Sequence, residues 1–261
     1  MTAGGMTRRQ FGQSVAGIVV VFSLAPELLW PAEAELPGDL AATPTLNAWL
    51  RIDADGKVTV FTGKVELGQG ILTALAQIAA EELDVPLTSI RMVSGHTGVT
   101  PDEGYTTGSR SIEEGGMALR HACAEARALL LGQASVKLGV PAEQLRVAAG
   151  TVTAADGRQL TYGEIAAAGL LHRNATAQAQ PKPAAAHSIV GTSVPRLDIP
   201  PKVFGSPSYV QDLRLPGMVF GRIVRPPGPR ARLEEVDTEA VRSLPGVLAV
   251  VRDGSFLGVV A

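Results

Sequence analysis

The apolar positions change period within the first hundred residues. Trp49-Leu50-Arg51-Ile52 and Val58-Thr59-Val60-Phe61-Thr62 are short extended stretches flanking Asp53-Ala54-Asp55-Gly56. That turn between two such stretches predicts a β-hairpin. From Ile71 the spacing becomes helical, with Leu72, Leu75, Ile78, Ala79 and Leu83 on one face. Asp84 and Pro86 end that helix. Ile90 to Ser94 reads as a strand, and a second helix is expected from about Ile112 to Ser135, carrying Met117, Leu119, Ala122, Ala126, Leu129 and Leu130.

Further on, Leu145–Ala148 and Thr151–Thr153 flank Ala149-Gly150, a second turn follows at Asp156-Gly157, and the whole predicts a short meander. Thr161 to Glu164 opens a small helix with a T-x-x-E capping box. Residues 189–261 differ in character. Strands are expected at Val203–Tyr209, Met218–Val224 and Val247–Val251 (the last buried), with a short helix at Thr238–Leu244. The closing run Gly258-Val259-Val260 reads as a strand with an unpaired apolar edge.

Two turns carry candidate chemistry. Gly68-Gln69-Gly70 lies between the hairpin and the first helix. Its glycines permit a sharp turn and close backbone approach, and Gln69 offers an amide donor and acceptor. Alone, this tripeptide also fits an ordinary strand-to-helix turn. The second turn is Thr106-Thr107-Gly108-Ser109-Arg110-Ser111, also at a helix start. Its hydroxyls can cap a helix or hydrogen-bond a phosphate or pterin edge. Ser111 with Glu114 also matches an S-x-x-E capping box, a purely structural use of the same residues. In the intervening loop, His96 has no ligand partner at metal-binding spacing, and Asp102 and Glu103 are candidate acid–base groups for which a solvated loop is the commoner reading.

Composition narrows the function classes. A formal net charge of −2 lacks the basic excess that nucleic-acid binding needs. A single cysteine, Cys123, excludes an intrachain disulfide or an iron–sulfur cluster held by this chain, and within its helical pattern it reads as a small buried hydrophobe. Residues 1–34 read as a twin-arginine signal peptide: Arg8-Arg9, an apolar run from Val15 to Leu24, and the small-x-small site Ala32-Glu33-Ala34. That route carries folded proteins to the periplasm, often with a cofactor already inserted. Residues 35–45 and 178–188 read as Pro-rich linkers, bounding a domain at 46–177 and a second at 189–261.

Taken in order, three stretches resemble one family. GKVELGQGILTALAQIAAEEL, TTGSRS with its Ala-rich helix, and VGTSVPRLDIPPKVFGSPSYVQDLRLPGMVFGRIVRPP are similar to the N-terminal part of molybdopterin-binding large subunits of the xanthine dehydrogenase/aldehyde oxidase superfamily, in the exported branch typified by the isoquinoline 1-oxidoreductase β subunit. The resemblance implies an α/β (α+β) chain: a molybdopterin-binding-type α/β domain followed by the start of an α/β hammerhead module. It implies hydroxylation of an aldehyde or N-heterocycle, with water as the oxygen source. It places a molybdenum–molybdopterin cofactor, with the cytosine dinucleotide as one form, against Gly68, Gln69, Gly70, Thr107, Gly108, Ser109 and Ser111. It implies a [2Fe-2S] small subunit and a cytochrome as electron acceptor. The family's catalytic glutamate matches no residue here, so none is assigned as catalytic and none as a metal ligand. The alternative is a truncated, non-catalytic exported module that binds a pterin or a partner subunit.

Overall fold

A computed structural model describes residues 35–166 and 169–261, so the signal-peptide segment lies outside the described residues. The chain divides into two compact units at Pro200/Pro201.

In the first unit the hairpin forms as the pattern dictates. Strand β1 (Leu50–Ile52) pairs antiparallel with β2 (Val58–Thr62), and Gly56 takes the left-handed conformation (φ 79°) that the turn requires. Strand β3 (Ile90–Ser94) pairs parallel to β2, with Thr62 opposite Ser94. Joining β2 to β3 is helix α1 (Ile71–Leu83). Central in its sheet, β2 buries four of its five residues, as a strand covered on both faces does. Helix α1 stops where Asp84 turns left-handed (φ 54°), and the Tyr162 hydroxyl donates to the freed Leu83 carbonyl at 2.9 Å.

Helix α2 (Met117–Leu138) packs against α1 and ends at the left-handed Gly139. Cys123 lies fully buried on it, and burial pushes its thiol well above the ordinary range. A π-helical turn, Ser111–Gly116, precedes α2. The meander forms as β4 (Arg146–Ala148), β5 (Thr151–Thr153) and β6 (Gln159–Thr161), all antiparallel. Helix α3 (Tyr162–Ile165) follows with the expected capping box: Thr161 Oγ1 accepts from the Glu164 N–H, and Glu164 accepts from the Thr161 N–H.

The two Pro-rich stretches are fastened down. Leu40 and Leu46 are fully buried, and the Trp49 indole N–H donates to Thr43 O at 2.8 Å. From Lys182 to Asp198 the chain lies along α1. Glu81 Oε2 accepts from the N–H groups of Ser188 (2.8 Å), Ile189 (2.6 Å) and Val190 (3.0 Å). Glu82 accepts from Lys182 N and Arg120 Nε, and Gln77 Nε2 donates to the carbonyls of Ile189 and Thr192. Burial would raise the Glu81 pKa, but these backbone donors and Lys182 outweigh it and hold the carboxyl at about 2.

In the second unit the strand expected at Val203–Tyr209 does not form. Ile199–Val203 is a helical turn, and Gly205 (φ 73°) then leads into Pro207, a sequence that breaks extended pairing. Strand β7 is only Gly221–Ile223, shorter than the expected Met218–Val224. Helix α4 (Thr238–Arg242) is N-capped by Asp237 and packs on β8 (Ala249–Asp253). Of β8 only Val250 is buried, so the buried strand expected there is a half-exposed one. The closing run is not an unpaired edge. Strand β9 (Phe256–Val260) is central, antiparallel to β7 on one side and to β8 on the other.

Candidate functional site

Parallel pairing of β2 and β3 brings the two candidate turns together. Both strands end at one edge of the sheet, so the loops that follow, 63–70 and 95–110, leave from the same place. Carboxyl ends of parallel strands are where open α/β sheets bind ligands. The loops are cross-linked: Val65 N donates to Thr106 Oγ1 at 2.9 Å, and Ser94 Oγ donates to Lys64 O at 2.6 Å.

Between them lies a cleft of about 420 Å³ lined by Gln69, Gly70, Thr107, Gly108, Ser109 and Ser111. Its apolar wall is Leu67, Ile71, Ala74 and Ile112. Six of the seven residues singled out from the sequence therefore share one cleft. Gly68 does not line it: its N–H donates to Glu66 and its carbonyl accepts from Arg196.

The two turns differ in what they leave free. At Gly68-Gln69-Gly70 (φ 103° and 84° at the glycines), Glu66 Oε1 accepts from both Gly68 N and Gly70 N at 2.8 Å. Leu72 N points at Oε2 at 3.4 Å. Arg196 closes the turn from the other side, donating to Gly68 O at 2.7 Å and to Glu66 Oε1 at 3.3 Å, while Asp198 holds its fork in two bonds. Gln69 folds back, accepting from Leu67 N at 2.5 Å and donating to Val65 O at 3.1 Å.

Thr107–Ser111 is open. The side-chain hydroxyls of Thr107, Ser109 and Ser111 have no partner among the described residues, and neither do the N–H groups of Gly108 and Ser109. Both Gly108 and Ser109 sit at φ 62°, a conformation a serine rarely takes. The S-x-x-E capping box expected here does not form. Ser111 is the first residue of the π turn rather than its cap, the cap position falls on Arg110, and Glu114 faces Arg110 at 3.6 Å. Ser111 is thereby left free.

The loop after β3 holds a group that the pattern of charges concealed. Glu103, expected in solvent, is 5% exposed. Its Oε2 accepts from Thr62 Oγ1 at 2.6 Å and from Gly63 N at 2.5 Å. The fully buried Lys64 ammonium donates to the Glu103 carbonyl and faces Asp39 at 3.6 Å. Burial pushes the Glu103 carboxyl above the ordinary range, against those hydrogen bonds. Asp102 stays exposed and accepts from Gly104 N, and His96 is exposed and contacts only its own loop. Glu66 and Arg196 were also missed. A carboxylate four residues before the helix-opening Gly70 is the signal that points to Glu66.

This donor set fits a molybdopterin. The open hydroxyls and N–H groups suit an oxygen-rich anionic ligand, only the side chains of Arg196 and Arg110 come within 4 Å of the Cβ positions at the lining glycines Gly70 and Gly108, and the cleft volume is that of a small-molecule pocket.

Comparison with known proteins agrees. Residues 6–193 match the model of the molybdopterin cofactor-binding domain, and residues 204–255 match that of the aldehyde oxidase and xanthine dehydrogenase a/b hammerhead domain. The chain is 42% identical over 233 residues to a nicotinate dehydrogenase subunit from Pseudomonas putida, covering 84% of this chain and 20% of that protein. It is 30% identical over 269 residues to the beta subunit of isoquinoline 1-oxidoreductase from Brevundimonas diminuta, covering 87% of this chain and 34% of that protein. Among solved structures, CO dehydrogenase from Oligotropha carboxidovorans aligns over 44% of this chain and 15% of its own, at 30% identity and a TM-score of 0.41. The chain thus spans between a fifth and about a third of the length of these two curated relatives. It is an α/β chain that belongs to the molybdopterin cofactor-binding family of the xanthine dehydrogenase/aldehyde oxidase proteins.

Proposed function

We propose that the cleft between Gly68-Gln69-Gly70 and Thr107–Ser111 holds a molybdenum–molybdopterin cofactor. The observation that carries this is the open face of the second turn, with its three free hydroxyls and two free N–H groups among the described residues. Thr107, Ser109 and Ser111 would hydrogen-bond the cofactor's oxygens, and Gln69 and Gly70 would border its other end. When bound, the cofactor supplies the hydroxylation chemistry, with water as the source of oxygen. The protein's part is to bind and orient it and to wall it off with Leu67, Ile71 and Ile112.

On this reading the chain is the N-terminal part of a cofactor-binding subunit whose substrates are aldehydes or N-heterocycles. Nicotinate and isoquinoline, named in two of its relatives, belong to the second class. A [2Fe-2S] small subunit and a cytochrome would carry electrons away, since one buried cysteine cannot hold a cluster. The twin-arginine pattern at Arg8-Arg9 supports export of the folded protein to the periplasm. The cytosine dinucleotide form of the cofactor fits the same donors. Elemental and pterin analysis of the purified native protein tests the reading. One molybdenum and one pterin per chain are expected, and a protein carrying neither would overturn it.

A further inference from the structure

Glycine turns at helix starts ordinarily offer their N–H groups to an external anion. At Gly68-Gln69-Gly70 the anion is already present, and it belongs to the chain. The Glu66 carboxylate, 7% exposed, takes the N–H groups of Gly68 and Gly70 and faces that of Leu72. Arg196 pairs with the same carboxylate and bonds the Gly68 carbonyl, so the two glycine N–H groups and one carbonyl of the turn are taken from within the chain. An incoming phosphate would have to displace Glu66 from these donors and then lie beside its negative charge. What the turn still offers is the Gln69 backbone N–H and the unused half of the Gln69 side-chain amide, one N–H and one oxygen lone pair, since the other half is spent on Leu67 N and Val65 O.

We infer that Glu66 is a specificity-determining residue that excludes phosphate from the first turn and restricts it to a neutral donor–acceptor edge of the ligand. Anionic groups are left to the Thr107–Ser111 turn, whose N–H groups have no internal carboxylate. Arg196 is a positioning residue that keeps the Glu66 carboxylate on the turn. The assignment of ligand ends rests on the proposed function; the exclusion of phosphate does not.

The test uses inorganic pyrophosphate as probe and the amide resonances of the full chain, labelled at glycine and leucine. In the wild-type protein pyrophosphate is expected to leave Gly68, Gly70 and Leu72 unshifted. In Glu66→Ala the freed N–H groups and Arg196 should bind it, with saturable shifts at those three amides and a gain in affinity of about tenfold or more, as charge-assisted bonds imply. Adding Arg196→Ala should remove that gain. Wild-type shifts at these amides would overturn the inference, as would a folded Glu66→Ala that shows none. If Glu66→Ala does not fold, Glu66→Ser, uncharged and too short to hold the three donors together, carries the same expectation. Molybdenum content reads the proposed function separately, so failure of either claim is distinguishable from failure of the other.

Discussion

Glu103 Oε1 lies 2.1 Å from where a Cβ on Gly115 would sit, so the bare backbone at Gly115 is what lets the buried carboxyl rest against the π turn. The contact ties three parts of the site together. Glu103 belongs to the loop after β3, its Oε2 holds the end of β2 through Thr62 and Gly63, and Gly115 belongs to the turn that presents Ser111.

Gly115→Ala should therefore destabilise the protein by about 2 kcal/mol, the usual cost of overpacking a tight buried site. Gly132→Ala, on the exposed side of α2 with open space around it, should stabilise by about 0.5–1 kcal/mol through helix propensity alone. Urea unfolding of both variants checks the pair, and equal effects would show that Glu103 yields freely.

The two sequence-level capping boxes should respond differently to alanine. Thr161 Oγ1 accepts the Glu164 N–H, so Thr161→Ala should cost about 1 kcal/mol. Ser111 caps nothing, so Ser111→Ala should leave the denaturation midpoint unchanged while removing a hydroxyl from the cleft.

Acid should loosen the strap along α1. Glu81 is held at about 2 against an ordinary 4.5, so its carboxylate contributes stability above pH 4.5 that is lost as pH falls toward 2. A shift of this size corresponds to about 3 kcal/mol. Glu103 acts with the opposite sign: its raised pKa favours the folded state at low pH and loses that contribution as pH rises through the folded value. Comparison with Glu81→Gln isolates the first effect. Wild-type stability should fall more steeply between about pH 5 and pH 2.5 than that of the variant, and parallel curves would contradict the assignment.

Periodicity made the hairpin, α1, β3 and α2 legible, because each reads from neighbours within a few positions. It also made both turns of the site legible as candidates. What it did not show was the pairing of Glu66 with Arg196, 130 positions apart, since a carboxylate near a glycine turn looks the same whether its partner is solvent or a distant arginine. Glu103 was misread for a similar reason: a polar loop gives no local sign that one of its side chains turns inward toward Thr62 and Gly115. At Val203–Tyr209 the β-forming residues were visible, but Gly205 and Pro207 outweighed them.

The central claim is that Thr107, Ser109 and Ser111 receive the cofactor. The most direct measurement is the molybdenum content of the native protein carrying Thr107→Val, Ser109→Ala and Ser111→Ala together, with circular dichroism as the control on folding. The account predicts a folded protein with most of its molybdenum lost. A variant that keeps full molybdenum occupancy would contradict it and show that the open turn serves something else.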